Sequence, residues 1–392
     1  MTKSTTTPAK TGARWRWLIA VLAVLAITAA SCGDDDGDST ADEPSNDPSD
    51  EPGDEPSDEP AGDEEFVVAL SNSFIGNDWR KTMVESFEIA AEAAVASGDI
   101  TDFRVEITAE NTATAQIASI ESLILAGVEA IVINSASPTA LDPVIQRACD
   151  EGIIVVVFDS LADAECATKV FNDFEDWGRT QAELVLEGIG GEGDIIMVEG
   201  VTGSAPNDTV LAVWAEELAK YPDVNVVATV IGQNDGALTQ QALVPVLPSL
   251  GDIDGVLLQV GANGVINAFQ DAGRDLPVVD LDTHGGTLRI WDELNKSVGF
   301  ETSAVLTDPG QGSAALWVAI MIGRGEQVDG QDIPAEVVLP LVVIPQEDLE
   351  AWIAVTPDTA MAGWSWTKDQ TIAAIASNLA GEEAVAPPIP TP

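Results

Sequence analysis

Basic residues and histidine are scarce in this 392-residue chain. It has 16 Lys and Arg against 66 Asp and Glu, so its formal net charge is −50, which argues against nucleic acid and anionic lipid as partners. The single histidine, His284, has no serine or cysteine beside it, and the sequence contains no Walker loop and no nucleophile elbow. One histidine also argues against a zinc site. We therefore expect a protein that is not an enzyme and that holds no metal or cofactor.

The chain also lacks a hydrophobic run long enough to span a bilayer comfortably. The run at residues 18–30 is shorter than the roughly 20 residues that a membrane-spanning helix needs. It follows basic residues and leads to Ala-Ala-Ser before Cys32, which is typical of an export signal. The site resembles a bacterial lipobox, in which the cysteine becomes lipid-modified, although Ala29 replaces the usual Leu or Val. The prediction is a lipoprotein signal peptide over 1–31 with lipidation of Cys32; cleavage that releases a soluble protein is the alternative.

Residues 32–65 consist mainly of Asp, Glu, Pro, Ser and Gly and have almost no apolar side chains. Such a segment cannot bury enough apolar surface to offset its chain entropy, so we expect a disordered acidic tether. It is either a spacer that holds the folded part off a membrane or a solubilising tail. From residue 66 onward the composition changes abruptly, and the remaining length predicts one large or two medium domains.

Two cysteines remain besides Cys32, namely Cys149 and Cys166. Outside the cytoplasm an even pair suggests a disulfide. Cys149 closes a predicted helix and Cys166 follows the next predicted strand, so the two side chains are expected at one edge of the fold. Two unlinked small residues are the alternative.

Apolar runs alternate with amphipathic helical stretches in two successive series. Continuous Val and Ile runs of this kind predict parallel strands covered on both faces, and two series predict two lobes. The fold class is therefore α/β. The predicted strands lie at 66–71, 103–108, 130–134 and 153–158, and then at 195–198, 224–230, 255–259 and 276–280.

Polar residues follow the predicted strand ends in both series, where ligands bind parallel sheets. The loops lie at 71–80, 134–138, 159–160, 200–208, 259–263 and 282–285. Helix capping by Ser, Asn or Asp explains any one of these loops. Their recurrence at the ends of strands on the same side favours a binding site.

With these loops in place, residues 66–345 resemble the bacterial solute-binding lipoproteins of the ribose-binding-protein type, the type 1 periplasmic binding proteins of sugar ABC transporters. The resemblance is carried by the segments 71–80, 116–138, 155–159, 200–208, 255–264 and 306–309. It implies two Rossmann-like lobes with parallel sheets joined by three hinge crossings, expected near 166–171, 306–308 and 333–338. The N-terminal lobe would comprise 66–167 plus 308–334, and the C-terminal lobe 168–307 plus 335–392. A helix in the tail, at 368–379, is expected on the second lobe.

The resemblance also implies a ligand site in the cleft between the lobes. A sugar ring needs an aromatic surface and its hydroxyls need matched donors and acceptors. The aromatic candidates are Trp79, where the family places an aromatic residue, and Phe74; simple packing of the first helix is the alternative role of Trp79. The polar candidates are Asn72, Asn77, Arg80, Asn134, Ser135, Ser137 and Asp159 on the first lobe, and Asn207, Asp208, Asp235, Gln259, Asn263, Asp282 and Thr307 on the second lobe or its crossing.

Three sites, four residues in all, depart from the family pattern. Asn207 and Asp208 stand where many relatives carry Arg, Asn234 stands where an aromatic residue is common, and Thr307 stands where Gln is common. The identity of the sugar therefore does not carry over.

The resemblance implies an extracytoplasmic, lipid-anchored monomer that captures a monosaccharide or related small polar ligand. The protein would deliver this ligand to the permease of an ABC importer. A receptor of the same fold that serves a signalling protein, and a binder of a non-sugar solute such as an amino acid, are the alternatives.

Overall fold

The computed structural model describes residues 65–391. The predicted signal peptide, Cys32 and nearly all of the predicted tether lie outside the described residues. Within 65–391, no helix is both long enough and apolar enough to cross a membrane.

The first lobe is built on a six-stranded parallel sheet. Its strands run in the order β11-β5-β4-β3-β1-β2, and every neighbouring pair is parallel. The strands are β1 (Val67–Asn72), β2 (Asp102–Ile107), β3 (Ala130–Asn134), β4 (Ile154–Phe158), β5 (Thr168–Asn172) and β11 (Glu336–Leu339).

Helices cover both faces of this sheet, because β1 and β3 are buried at every position, β4 is buried at all but its first, and strand side chains alternate between faces. Val68 and Leu70 pack with one helix pair, and Val67 and Ala69 with the other. The first pair is α1 (Asp78–Ser97) and α9 (Gln311–Gly323), and the second is α2 (Ala113–Leu125) and α3 (Asp142–Asp150). The α/β class with parallel sheets is confirmed.

The second lobe has a four-stranded parallel sheet in the order β7-β6-β8-β9. A short antiparallel pair, β10 and β12, continues from it through a bridge between Leu281 and Ala304. The elements are β6 (Glu192–Glu199), β7 (Asp223–Ile231), β8 (Gly255–Leu258), β9 (Val278–Val279), β10 (Ala304–Leu306), β12 (Val342–Ile344), α4 (Phe174–Gly188), α5 (Ala205–Leu218), α6 (Gly236–Leu243), α7 (Ala262–Asp271), α8 (Gly285–Val298) and a short 3-10 helix, Leu247–Ser249.

Three connections pass between the sheets. They run from β5 to α4 at 172–173, from β10 to α9 at 307–310, and from β11 to β12 at 340–341. The expected boundaries assigned β5 and β11 to the second lobe, whereas both strands hydrogen-bond in the first sheet. We therefore propose lobe boundaries that follow these strands instead of preceding them.

The tail adds α10 (Leu349–Val355), after a 3-10 turn at Gln346–Asp348, and α11 (Lys368–Ala380). Helix α10 packs on α8, but α11 packs on β11 and α9 of the first lobe, which corrects its expected place on the second lobe. Strand β11 is a sheet edge whose peptide groups need partners. The Asn378 amide supplies them, because it both accepts from Val338 N and donates to Val338 O.

The predicted disulfide joins Cys149 to Cys166, with their Cα atoms 6.4 Å apart. It ties the end of α3 to the loop before β5 and closes a loop of 17 residues. The pairing is confirmed, and it restrains the segment that leads into the first crossing.

Candidate functional site

A small chamber of about 50 Å³ lies where the carboxyl ends of strands from both lobes face each other. We call it the inner chamber. Residues of the first lobe, the second lobe and the crossings all line it: Asn77, Trp79, Arg80, Asp159, Phe174, Trp177, Val201, Ser204, Pro206, Asn234, Gln259, Val260 and Thr307.

Arg80 is the central cation of the first-lobe wall. It lies in the first turn of α1, where the side chain of Asn77 caps the helix by accepting from Arg80 N. Its guanidinium donates to Asn72 Oδ1 at 2.6 Å and lies 5.3 Å from the ring centroid of Phe74 and 5.8 Å from that of Trp79. Helix capping, a hydrogen bond and two aromatic rings thus hold this fork-shaped donor in one position.

Asp159 faces Arg80 across the first-lobe wall. The nearest side-chain atoms, Arg80 Nη2 and Asp159 Oδ2, are 3.8 Å apart, and Asp159 Oδ2 also accepts from Asn134 Nδ2 at 3.1 Å. Burial raises the pKa of Asp159 and lowers the pKa of Arg80 to about 10, so desolvation outweighs their mutual attraction. At neutral pH Arg80 is charged, and a ligand hydroxyl beside the pair has both a donor and an acceptor within reach.

Two chamber residues hold backbone conformations that L-residues seldom adopt. Asp159 has φ +55° and Asn234 has φ +56°. Such outliers cluster at functional sites, and Asp and Asn tolerate them better than most residues. One lies on each lobe, so each wall presents a polar side chain from a strained turn at the end of a strand.

Gly200, Asn207 and Gln259 order the second-lobe wall. Asn207 Oδ1 accepts from Gly200 N and from Gln259 Nε2, both at 2.9 Å. A Cβ at Gly200 would collide with the side-chain oxygens of Gln259 and Asn234, so a larger residue here would displace these two side chains. Asn207 therefore orients Gln259, and it does not itself line the chamber.

Aromatic side chains reach the inner chamber from both lobes. Trp79 is buried and donates through Nε1 to Thr307 O at 2.9 Å, which links α1 to the second crossing. Phe174 and Trp177 lie in the first turn of α4, with centroids 6.0 Å apart in an edge-to-face arrangement. Trp177 is 2% exposed, and its indole N–H has no hydrogen-bond partner among residues 65–391. A buried donor without a partner is costly unless a ligand accepts from it.

A second cavity of about 190 Å³, which we call the outer chamber, shares Trp79, Asn234 and Val260 with the inner one. An interlobe contact borders it, because Asp78 Oδ2 lies 3.2 Å from His284 Nε2. The other residues that line it are Asp235, Gly236, Ala237, Gly261, Asn263, Asp282 and Met361.

The carboxylates of the outer chamber are largely occupied by the protein. Asp282 accepts from the backbone N–H groups of Gly261, Ala262 and His284. Asp235 caps α6 by accepting from Leu238 N. Both therefore fix loops, as the helix-capping alternative anticipated.

The two chambers bring together most of the predicted site residues. The inner one contains Asn77, Trp79, Arg80, Asp159, Gln259 and Thr307, and the outer one contains Trp79, Asp235, Asn263 and Asp282. Four more contact these residues from behind: Asn72, Phe74, Asn134 and Asn207. Three line neither chamber: Ser135, Ser137 and Asp208. Whether each residue contacts ligand stays a prediction.

Among the residues that sequence reasoning missed, Phe174 and Trp177 are the most informative. They follow β5 and the first crossing, so the signal was an aromatic pair three residues apart at the start of a helix after a strand end. The first crossing was expected at 166–171, before the aromatic pair, so the pair was not expected at a strand end that faces the cleft.

The sequence of the chain matches the periplasmic binding protein domain over residues 68–327. The chain belongs to this family. Among known relatives of this periplasmic binding protein, the xylitol-binding protein of Mycolicibacterium smegmatis is 30% identical over 230 residues. The alignment covers 56% of this chain and 64% of that protein, so it spans just under two thirds of the relative.

Two further relatives agree with this assignment of the periplasmic binding protein. The ribose import binding protein of Bacillus subtilis is 25% identical over 223 residues, which cover 56% of this chain and 70% of that protein. Among solved structures, the ABC transporter solute binding protein of Thermobispora bispora is 43% identical with a TM-score of 0.78, covering 83% of this chain and 99% of that one. The type 1 fold with two lobes and three hinge crossings is thereby confirmed.

Proposed function

We propose that this protein is an extracytoplasmic solute-binding protein that captures a monosaccharide or small polyol between its lobes and passes it to an ABC importer. The observation that carries the proposal is the inner chamber, where a buried Arg80–Asp159 pair lies beside aromatic side chains from both lobes. The xylitol-binding and ribose-import relatives support a ligand of this class.

The chemistry of the lining suits a polyhydroxylated ligand. Trp79, Phe174 and Trp177 offer apolar surface to the carbon skeleton. Arg80 donates, Asp159 accepts, and the free N–H of Trp177 adds a donor. A sugar that pairs with all three leaves few buried polar groups without partners, which makes its hydroxyl pattern the basis of selection.

Capture proceeds by closure of the lobes around the ligand. A ligand that contacts both walls binds the closed form more tightly than the open form and shifts the population towards it. In this proposal the ligand leaves chemically unchanged, which the solute-binding relatives support.

The proposal includes the location and the partners. The export signal and Cys32 at its end support a lipid anchor, with the acidic segment as a spacer and the protein acting as a monomer. The permease of the importer would recognise the closed form. An expression host treated with globomycin should accumulate the uncleaved precursor of this protein. The Cys32→Ala substitution should release the protein from the membrane fraction. Retention of that variant in the membrane fraction would contradict the lipid anchor.

An α-amino acid is a second candidate ligand, because Arg80 and Asp159 together match a carboxylate and an ammonium group. Thermal-shift measurements of the chain from residue 33 onward, with xylitol, D-ribose, other pentoses and hexoses, and the amino acids, separate the two classes. The expected result is a rise in melting temperature with a sugar or polyol that grows with the logarithm of its concentration. A rise with amino acids alone would replace the substrate class, and no rise with any of these compounds would overturn the proposal.

A further inference from the structure

The segment between α10 and α11, residues 357–366, forms a fourth link between the lobes. Helix α10, before it, packs on α8 of the second lobe, and α11, after it, packs on β11 and α9 of the first. The segment also lies beyond residue 327, where the family match ends. We call residues 357–366 the strap.

The strap is bonded to the second lobe along the start of α8. Ala362 N donates to Thr283 O, and Gly285 N donates to Ala360 O, both at 2.8 Å. Arg289 adds an ion pair to Asp358 at 2.7 Å, and it also donates to Thr356 O at 2.9 Å.

The strap is bonded to the first lobe along α1 and α9. Met361 N donates to Thr82 Oγ1 at 3.1 Å. Ser86 Oγ donates to Trp364 O at 3.2 Å, and Trp366 N donates to Ser313 Oγ at 2.8 Å. Met361 thus contacts both lobes, because its own backbone also forms a bridge with His284 of the second lobe.

Asp308 lies in the second crossing, and its side chain forms hydrogen bonds with the strap. Its carboxylate accepts from Trp364 N at 3.1 Å and from Trp366 Nε1 at 2.6 Å, and also from Gly310 N of its own loop. Asp308 is 1% exposed. A buried carboxylate needs hydrogen-bond donors, and the strap supplies two of those that Asp308 uses. Movement of the crossing would therefore break bonds to the strap.

The strap reaches the ligand cleft as well as the hinge. Met361 is 4% exposed and lines the outer chamber together with Trp79 and His284. Met361 and Trp79, the aromatic residue that both chambers share, thus line one cavity, and a flexible methionine side chain adapts to the shape of an apolar surface.

We propose that the strap is part of the ligand-binding apparatus: Met361 supplies a wall of the outer chamber, and the strap limits how far the lobes open at the hinge. The first part rests on the proposed function, whereas the second concerns the protein without ligand. The outer chamber thereby admits a substituent of the bound sugar or polyol that projects past Trp79.

The chamber wall is tested with Met361→Ala and Met361→Leu, both of which keep the backbone bonds of the strap. Calorimetric titration with xylitol and with D-ribose should show a dissociation constant about tenfold higher for Met361→Ala, with most of the loss recovered in Met361→Leu. If wild type and Met361→Ala bind the same compound with equal affinity, Met361 is not part of the wall of the outer chamber. If wild type binds neither compound, the titration uses the sugar or polyol that raises its melting temperature; absence of any such compound overturns the proposed function but not the restraint on opening.

The restraint on opening is tested without ligand by Arg289→Ala, with Lys296→Ala on the exposed face of the same helix as the matched control. Arg289→Ala removes the ion pair to Asp358 of the strap and the hydrogen bonds to Ile353 O and Thr356 O just before it, whereas Lys296 pairs only with Asp292 among its described ion pairs. We expect amide exchange in 357–366 and 304–310 to become about tenfold faster in Arg289→Ala and a larger radius of gyration by X-ray scattering, with neither change in Lys296→Ala. Unchanged exchange and scattering in Arg289→Ala would overturn the restraint.

Discussion

At the scale of single residues, the inner chamber combines groups that are expensive to bury. Arg80 and Asp159 are both desolvated, Trp177 holds an unpaired donor, and Asp159 sits in a strained backbone conformation. These costs favour a ligand that supplies the missing partners. Trp79 is less suitable for a test of binding, because its ring belongs to the hydrophobic core and Trp79→Ala would also reduce stability.

The unpaired N–H of Trp177 makes Trp177→Phe a sharp test. The substitution keeps part of the aromatic surface and removes a donor that the protein does not use, so we expect affinity to fall about tenfold; the melting temperature also falls, because Trp177 belongs to a hydrophobic core cluster. Trp214→Phe is the matched control, because Trp214 is also buried with an unpaired N–H but lies outside the inner chamber. Equal losses of affinity in both variants would show that packing, and not the hydrogen bond, matters.

The pH dependence of binding should report Asp159. Because burial raises the pKa of Asp159, its carboxylate becomes protonated at a higher pH than an ordinary aspartate, and it then no longer accepts from a ligand or balances Arg80. Affinity is therefore expected to fall as the pH is lowered through this raised pKa. Calorimetry between pH 7.5 and 4 measures the loss. The Asp159→Asn variant should bind the ligand weakly at every pH. If its affinity instead falls at low pH as that of the wild type does, another group causes the loss.

At the scale of elements, each lobe is built from alternating strands and helices. Specific side-chain contacts stabilise the first lobe at the edge of its sheet. Asn378 pairs the edge strand β11, and the Cys149–Cys166 bond holds the end of α3 against the loop before β5. Both contacts lie next to strands that lead into crossings. They stabilise the first lobe where it continues into the hinge.

Removal of the disulfide should destabilise the protein without changing its ligand. Closing a loop of this size contributes about 3 kcal/mol by restricting the unfolded chain, so Cys149→Ala with Cys166→Ala is expected to lower the free energy of unfolding by about that amount. Urea denaturation of the double variant measures it. Reduced wild type is the control, and its stability should match that of the double variant. A midpoint unaffected by either change would contradict the structural role.

At the scale of the whole molecule, three crossings connect the lobes, and the buried carboxylate of Asp308 bonds the second crossing to the strap. Burial raises the pKa of Asp308 to about 6, although donors from Trp366, Gly310 and Trp364 oppose the rise. The folded protein thus retains a proton that the unfolded chain releases near its usual pKa of 3.8. Between those two values the folded state binds more protons, so stability falls as the pH rises.

Asp308→Asn should remove this component of the pH dependence. Its full size in the wild type is about 3 kcal/mol, since each unit of pKa shift corresponds to about 1.4 kcal/mol, and about 2 kcal/mol of it falls between pH 4 and 6. Chemical denaturation at pH 4, 5, 6 and 7 gives the two profiles. Asp99→Asn should have an effect of opposite sign that appears below pH 4, in an added measurement at pH 3: burial alone would raise the pKa of Asp99, but hydrogen bonds from Ser97 and Lys368 and the charges of Lys368 and Arg324 together lower it. Parallel profiles for wild type and Asp308→Asn would contradict the assignment.

The parts of the fold that depend on local pattern can be predicted from the amino-acid sequence. Apolar runs and amphipathic stretches predict β1, β3 and β4 with their covering helices, and the rule that ligands bind at strand ends predicts Arg80 and Asp159. The disulfide was predictable because both cysteines flank consecutive elements of one edge. In each case the informative residues lie within one strand, helix or turn.

The position of the boundary between the lobes could not be predicted from the sequence, because it depends on long-range strand pairing. Strand β11 pairs with β5 from more than 160 residues away, which moves the crossings and places Phe174 and Trp177 in the inner chamber. The strap likewise depends on Asp308 accepting from Trp366, two residues far apart in the chain. Such contacts leave no periodicity in the sequence, because they arise from the packing of whole elements and from the need of buried polar groups for partners.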